Sequence, residues 1–480
     1  MMNLNITLIK KFNFDVLALY LFFLWKISPG IFADGFNYDD SHEILISRAD
    51  SVYDFFAFAD HHFLYATLLY LLVFIIPFAN LQIINLVFVL FILFFTKKLY
   101  EKLSFTYLSF VLSGLILLSS PIFLTYTLRI KQYTLDYLFA LLIIYMFVKL
   151  EKSEILKQQF FYFGIVVSLF SLILAPVFIV LLTINLRENL KTLSIWIYIV
   201  LGILIYGFFE IGAITLKFFD EKYLDYFSFS FLTQGSIFDE MNNLYYSLLI
   251  FFRGISDNGS LFIYLLLFAI GLLKTFKTEK KLVVSFVLLF VLFCIFHVVD
   301  LYPISAGRNM TFIYPFVIIF LSQIIQITNN DKVSVIVFLL CTVLFSTFNK
   351  INYPNSYVSN LLHDSSSEEL TIVDYYLIPQ FTLYSDNSFT EIERRRSRFD
   401  QCLYSSNAEN IIFLQDEYCN PLVLDLNKNK NYERYKKIVF ISEENNINTK
   451  DEVTKVFKNT GFSIVSETKL GKSYKLVYEK

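Results

Sequence analysis

Charged residues are scarce in this sequence, which sets it apart from ordinary soluble proteins. They make up 17% of the 480 residues, whereas about a quarter of the residues in a typical globular domain are charged. The net charge of −2 gives no indication of a nucleic-acid partner. Histidine is also rare, with five residues, and no His-Glu-x-x-His pattern occurs. The sequence therefore lacks the helical zinc-hydrolase signature.

Hydrophobic residues take the place of the missing charge. They form 56% of the chain, 56 residues are phenylalanine, and the remaining charges are bunched between apolar runs. A helix that crosses a hydrocarbon core of ~30 Å needs about 20 apolar residues. The runs predict about eleven spans, several of them short. These are residues 15–33, 81–96, 105–120, 133–148, 159–173, 175–186, 193–215, 260–274, 282–299, 309–327 and 333–348.

The lysines between these runs predict an orientation. If the further apolar run 63–79 lies along the outer interface, the lysines between spans, such as Lys97, Lys149 and Lys277, all face the cytoplasm. This agrees with the positive-inside rule. The N-terminus is then cytoplasmic, and residues 349–480 lie outside the cell membrane.

The C-terminal part of the chain reads as a soluble domain. Polar residues return after residue 349, with strand-like runs at 411–414, 437–442 and 474–478 and a helix-like run at 449–459. About 130 residues is a plausible size for one domain. Cys402 and Cys419 both lie in it, so the sequence leaves open either a disulfide bond or two free thiols.

The first predicted outer segment concentrates carboxylates and histidines. Asp39 and Asp40 are adjacent, with Asp34 and Glu43 close by, and His61 and His62 end the segment. Adjacent carboxylates repel each other. The cluster is either a solvated acidic loop or the position of a general base or metal ligand at the membrane boundary.

The other two predicted outer segments carry cations. Arg129 and Lys131 precede the run that begins at Tyr133, and Asp136 lies about one turn inside that helix. In the structural interpretation, one of these cations pairs with Asp136 and lowers the free-energy cost of placing its carboxylate inside the membrane. In the functional interpretation, the cations form an anion site for a lipid phosphate. Arg308 precedes a late span and, taken alone, is typical of a snorkelling anchor.

Taken in order, these segments resemble the GT-C superfamily of multi-spanning glycosyltransferases, close to the bacterial protein O-mannosyltransferase and aminoarabinose transferase branch. Tyr38-Asp39-Asp40 is similar to the family's Trp/Tyr-x-Asp-Glu pair, with Asp in place of Glu. The stretch 61–65 is similar to its His-Pro-Pro-Leu-Tyr entry, without the prolines. Ser-Pro at 120–121 with residues 129–136, and Gly-Arg at 307–308 with a proline at 315, match two further patterns.

The apolar runs and the resemblance together predict an α-helical polytopic membrane protein of about eleven spans, GT-C-like, with a C-terminal extracytoplasmic α/β soluble domain. The domains are a transmembrane glycosyltransferase-like domain, 1–348, and the soluble domain, 349–480. The implied activity is inverting transfer of a sugar from a polyprenyl-phosphate donor to an acceptor hydroxyl at the outer face of the membrane. The implied acceptor is a glycan, lipid or protein, and no nucleic acid takes part. The resemblance leaves open whether the reaction uses a divalent metal.

The implied roles follow from what the reaction needs. A phosphate-linked sugar already has a good leaving group, so the enzyme supplies a base for the acceptor and cations for the departing phosphate. Asp39 or Asp40 is the candidate base. The candidate substrate-binding residues are His61, His62, Arg129, Lys131, Tyr133 and Arg308.

A membrane transporter or a flippase for lipid or polysaccharide is the main alternative. Such a protein is expected to carry charges at mid-membrane depth and repeated halves. In this sequence the charges cluster at one predicted face, and no internal repeat is present. A scaffold protein is a weaker alternative because it gives no reason for the acidic first segment.

Overall fold

The computed structural model contains two compact units. The first comprises Met1–Ser28, His61–Tyr65 and Gln82–Ile351, and the second comprises the remaining segments, including Asn352–Lys480. The described residues are 13–31, 63–72, 75–76, 81–149, 154–170, 174–186, 237–255, 261–298, 310–327, 330–345, 368–378, 380–381, 392–393, 405–406, 409–415, 421–426, 430–444, 447–470 and 473–480. The predicted domain boundary at 348/349 lies outside these residues and stays a prediction.

The described part of the chain up to residue 345 is helical. Its helices are α1 Phe14–Ile31, α2 Phe63–Leu72, α3 Ile83–Lys102, α4 Tyr107–Leu117, α5 Pro121–Thr127, α6 Tyr133–Lys149, α7 Glu154–Phe170, α8 Leu174–Leu186, α9 Ile237–Arg253, α10 Leu261–Thr278, α11 Lys280–Val298, α12 Tyr314–Ser322 and α13 Asp331–Phe345. A short 3₁₀ helix, Gln323–Ile327, follows α12.

Helix α3 is central to the packing of this unit. It lies along α6 and also contacts α4 and α5. Helix α1 runs antiparallel to it, because Lys97 Nζ lies 2.8 Å from Asp15 Oδ1 at one end. Further along, the Tyr20 hydroxyl donates to the Leu86 carbonyl at 3.1 Å. The start of α3 and the end of α1 therefore lie at the same end of the unit.

The prediction of about eleven membrane spans, and of a GT-C-like fold with it, is wrong. Among the residues that the structure describes, one helix is long and apolar enough to cross a membrane: α3, with 20 residues and a mean hydropathy of 1.9. A second candidate arises if α4 and α5, bent by 66° at their junction, are counted as one span.

Two of the predicted spans show why apolar composition overestimated the count. The run 309–327 is divided between α12 and the 3₁₀ helix, and every residue of α12 is buried inside the protein. Its apolar character belongs to a protein core, which a short apolar run does not distinguish from a membrane helix. The run 105–120 yields α4, whose 11 residues extend only ~17 Å, well short of a ~30 Å hydrocarbon core.

The second unit contains a mixed five-stranded sheet. Its strands are β1 Glu369–Asp374, β4 Ile411–Leu414, β5 Lys437–Glu443, β6 Ser463–Leu470 and β7 Ser473–Glu479, in the order β4-β1-β5-β7-β6. Strand β1 is parallel to β4 and β5, and β7 is antiparallel to β5 and β6. A separate small sheet pairs β2 Ile392–Glu393 with β3 Ser405–Ser406. The strands expected at 411–414, 437–442 and 474–478 are confirmed.

Helix α14, Lys450–Lys458, covers one face of this sheet. Val453 and Phe457 of α14 enter the apolar core that Leu370, Phe440 and Leu476 form with their neighbours. The helix begins after Thr449 and is followed by Gly461 at a φ of 89°, a conformation that glycine adopts without steric cost. The predicted helix over 449–459 is confirmed.

A buried polar network fixes the carboxyl ends of β1 and β5. The Ser442 hydroxyl donates to Asp374 Oδ2 at 2.5 Å, and Asn448 Nδ2 donates to Asp374 Oδ1 at 3.1 Å. Asn448 Oδ1 in turn accepts from the backbone N–H of Leu424 at 2.7 Å. The groups satisfy one another, as buried polar groups require, so the network holds the 421–424 segment against the sheet.

Tyr478 makes the second unit sensitive to high pH. Burial raises the pKa of Tyr478 to about 12 from its ordinary 10.0, although a hydrogen bond with Thr454 acts in the opposite direction. The folded state favours the neutral phenol, so its stabilising effect is complete below pH 10 and is lost as the pH rises through about 12. We expect Tyr478→Phe to flatten this loss.

Scanning calorimetry of the full chain, wild type and Tyr478→Phe, between pH 8 and 12 measures the effect. The unfolding temperatures of the two proteins should differ by a constant amount below about pH 10. Above that pH, the unfolding temperature of the wild type should fall more steeply than that of Tyr478→Phe. A constant difference over the whole range would show that burial does not control this phenol.

Candidate functional site

A short turn joins α5 to α6 and carries two of the three predicted phosphate-binding cations. We call residues 128–132 the cationic turn. Ser120 caps α5 by accepting from the Phe123 N–H at 3.2 Å, and Pro121 follows at the first helical position, where its missing N–H costs nothing. Helix α5 ends after only seven residues, and α6 begins at Tyr133. The local sequence thus places Arg129 and Lys131 between two helices.

Aromatic rings line the cationic turn. The Arg129 guanidinium lies 5.7 Å from the centre of the Tyr126 ring, a distance suited to cation–π attraction. The Tyr126 and Tyr133 rings meet edge to face, with their centres 4.6 Å apart. Arg129 and Lys131 are both half-buried, and Tyr133 is buried. The structure therefore brings Arg129, Lys131 and Tyr133 together on one short segment.

The backbone of the cationic turn is held from a neighbouring helix. Asn85, near the start of α3, donates from Nδ2 to the Arg129 carbonyl at 2.5 Å. Its side chain is fully buried. Asn85 was not among the predicted site residues; it shares the apolar run 81–96 with a second amide, Gln82.

Asp136 lies in the first turn of α6 and is buried, as the sequence predicts for its position in the helix. Its backbone N–H donates to the Gln132 carbonyl at 2.9 Å. A carboxylate in the first turn is favoured by the positive end of the helix dipole. Its predicted pairing with Arg129 or Lys131 stays a prediction.

The N-terminal ends of α5 and α12 both contact the C-terminal end of α9. The Ser120 hydroxyl donates to the Gly254 carbonyl at 2.7 Å, and the Tyr314 hydroxyl donates to the Phe251 carbonyl at 3.3 Å. A Cβ at Gly254 would lie 2.6 Å from the Tyr314 hydroxyl oxygen and closer still to Ile122. The two proline-bearing segments that the sequence presents far apart are therefore neighbours.

A buried cation on α1 also escaped the sequence analysis. Lys26 has no exposed surface and lies six residues beyond Tyr20, about 9 Å further along the helix. Because α1 is antiparallel to α3, Lys26 lies toward the same end of the unit as Asn85. Buried lysines are rare, and this one lies toward the end of the unit that carries the cationic turn.

The remaining predicted site residues lie outside the described residues. These are Asp39, Asp40, His61, His62 and Arg308, together with the cysteines Cys402 and Cys419. In the described part of the chain, no group of three or more His, Cys, Asp or Glu side chains could hold a metal ion. The roles of these residues stay predictions.

Comparisons with protein-family models, curated proteins and solved structures give no match for this chain. The account of its function therefore depends on the motifs and on the geometry of the cationic turn.

Proposed function

We propose that this protein is a membrane-bound glycosyltransferase that moves a sugar from a polyprenyl-phosphate donor to an acceptor hydroxyl. The cationic turn is the observation that carries the proposal. It presents an arginine and a lysine within three residues, beside two tyrosine rings, on a backbone held by Asn85. Two cations separated by one residue at a partly exposed turn suit a phosphate.

The two cations would act on the departing phosphate in different ways. A guanidinium offers parallel N–H donors that match two phosphate oxygens, whereas an ammonium acts as a compact point charge. Negative charge grows on the bridging oxygen as the bond to the sugar breaks, and cations fixed in advance stabilise it. Arg308 would complete this group, and His61, His62 and Tyr133 would bind the substrate.

The transfer itself needs a base. The carboxylate of Asp39 or Asp40 takes the proton from the acceptor hydroxyl. The acceptor oxygen then bonds to the anomeric carbon from the face opposite the phosphate, and the carbon–oxygen bond to the phosphate breaks. Polyprenyl phosphate leaves with the electron pair, so the configuration at the anomeric carbon is inverted. The acceptor would be a glycan, a lipid or a protein.

Exposed apolar side chains support a location in the cell membrane. On α10, Phe262 is 74% exposed, and on α13, Val343 is 77% exposed, with Leu273 and Leu340 also largely exposed. Exposed apolar surface of this extent marks contact with lipid or with another protein. We propose that this apolar surface contacts the cell membrane, without adding to the candidate spans given above, and that the C-terminal α/β unit is extracytoplasmic.

Binding of the bare leaving group tests the proposal without knowledge of the sugar. Purified protein in lipid nanodiscs should bind polyprenyl phosphate at least tenfold more tightly than the uncharged polyprenol, because charge-assisted hydrogen bonds are about twice as strong as neutral ones. Microscale thermophoresis with both lipids measures the ratio. Equal affinities for the two lipids would mean that the cations do not recognise phosphate.

A further inference from the structure

Asn85 is a fully buried polar side chain in the apolar part of α3. It lies between Ile84 and Leu86, and all three residues are buried. Burying an amide is unfavourable unless hydrogen bonds compensate for the lost water. Only half of that compensation is present, because Asn85 Nδ2 donates to the Arg129 carbonyl, whereas Asn85 Oδ1 has no hydrogen-bond partner.

The unpartnered oxygen shows what this side chain does for the unit. A leucine of similar size would fill the same space without a buried acceptor lacking a donor. The interaction that the asparagine does make joins α3 to the backbone of the cationic turn, 44 residues further along the chain. The hydrogen bond of Asn85 therefore acts on the position of the cationic turn.

Asn85 contacts the backbone of Arg129, whose side chain would bind the phosphate in the proposed function. A carbonyl held at Arg129 limits the rotation of the peptide units on either side, and the Arg129 side chain leaves from the same residue. The Arg129 N–H also donates to the Tyr126 carbonyl at 3.4 Å, which is long for a hydrogen bond. The hydrogen bond from Asn85 is the shorter of these two contacts to the backbone of Arg129.

We infer that Asn85 is a positioning residue: it holds the cationic turn in the conformation in which Arg129 and Lys131 bind the same phosphate. The inference rests on the proposed function for its ligand. The positioning itself is a property of the protein alone, and it is measurable without any ligand.

Helix α3 offers a matched control for the test. Thr96 is also buried, its hydroxyl also has no hydrogen-bond partner, and it lies 11 residues, about three turns, from Asn85. Asn85→Leu and Thr96→Val both replace a buried polar side chain of α3 with an apolar one of similar size. Only the first removes a bond to the cationic turn.

Hydrogen exchange of the full chain in nanodiscs measures the positioning. Asn85→Leu should speed exchange of the amides in residues 128–132 at least tenfold, while Thr96→Val leaves them as in the wild type. Polyprenyl phosphate binding should weaken at least tenfold in Asn85→Leu. The loss in the double variant Asn85→Leu/Arg129→Ala should be smaller than the sum of the two single losses, because both single changes weaken the same contact between Arg129 and the phosphate.

The outcomes separate this inference from the proposed function. If wild-type protein does not prefer polyprenyl phosphate to polyprenol but Asn85→Leu loosens the turn, the positioning stands and the proposed function fails. Unchanged exchange in the turn overturns the inference. So does a loss of binding that adds fully to that of Arg129→Ala, since an additive loss indicates a general structural defect.

Discussion

Replacement of Arg129 by alanine is expected to slow sugar transfer by about 10²–10³-fold, the range found when one fixed donor to a developing negative charge is removed. The guanidinium would contact the phosphate directly, and its neighbour Lys131 supplies only part of the charge. Arg129→Lys should recover part of the rate, because the charge survives while the forked geometry is lost. Turnover per folded molecule is measured with purified variants and extracted lipid-linked donors.

Lys98→Ala provides the control for the loss of a positive charge from the same unit. Lys98 is exposed and pairs with Glu101 one turn away on α3, and exposed pairs of this kind contribute little to stability. Its removal should leave transfer unchanged. If Arg129→Ala lowers the unfolding temperature but not the turnover per folded molecule, Arg129 serves only to pack against Tyr126.

Replacement of Asp39 by asparagine is expected to have an effect of about 10²–10⁴-fold on turnover, the contribution typical of a general base. Asparagine keeps the shape of the side chain but does not accept the proton of the acceptor hydroxyl. Affinity for polyprenyl phosphate should stay near the wild-type value, since the base does not contact the leaving group. Turnover and lipid binding are measured on the same preparation.

Asp40→Asn is the companion variant, because the sequence does not distinguish the two carboxylates. One of the two should lose turnover and the other should keep most of it. Near-normal transfer by both single variants would mean that the carboxylates are merely solvated, and the assignment of a base to this segment would be wrong.

The sequence predicted the parts of the molecule that depend on neighbours along the chain. Gly461 carries the signature of a helix end. Ser120 and Pro121 carry that of a helix start, but helix α5 was not predicted, because residues 121–132 were expected to form an outer segment between two spans. Arg129, Lys131 and Tyr133 were selected together because they lie within five residues of one another at the start of a predicted span. The strands of the second unit were visible as short apolar runs between polar segments.

The number of membrane spans was not predictable in the same way. An apolar run indicates that a segment is shielded from water. Both a lipid bilayer and a protein core provide such shielding. Helix α12 is apolar because the protein surrounds it on every side, whereas α3 combines sufficient length with an apolar surface. Only tertiary packing separates the two cases, and it is set by residues far away in the sequence.

Asn85 and Gly254 were missed for the same reason. Asn85 acts on a turn 44 residues away, and Gly254 accepts from Ser120 across 134 residues. Neither residue belongs to a local pattern. What makes each of them important is the close approach of another segment, which a single sequence does not reveal.

Release of polyprenyl phosphate from a lipid-linked sugar is the most direct measurement of the central claim. Purified protein is incubated with extracted polyprenyl-phosphate sugars and an acceptor fraction from the cell envelope, and the freed lipid is quantified by mass spectrometry. The account predicts that wild-type protein releases polyprenyl phosphate and transfers the sugar, while Arg129→Ala and Asp39→Asn are slower by about 10²-fold or more. Donor lipids that stay intact, or that cross a vesicle membrane with the sugar still attached, would contradict it, and the second result would indicate a flippase.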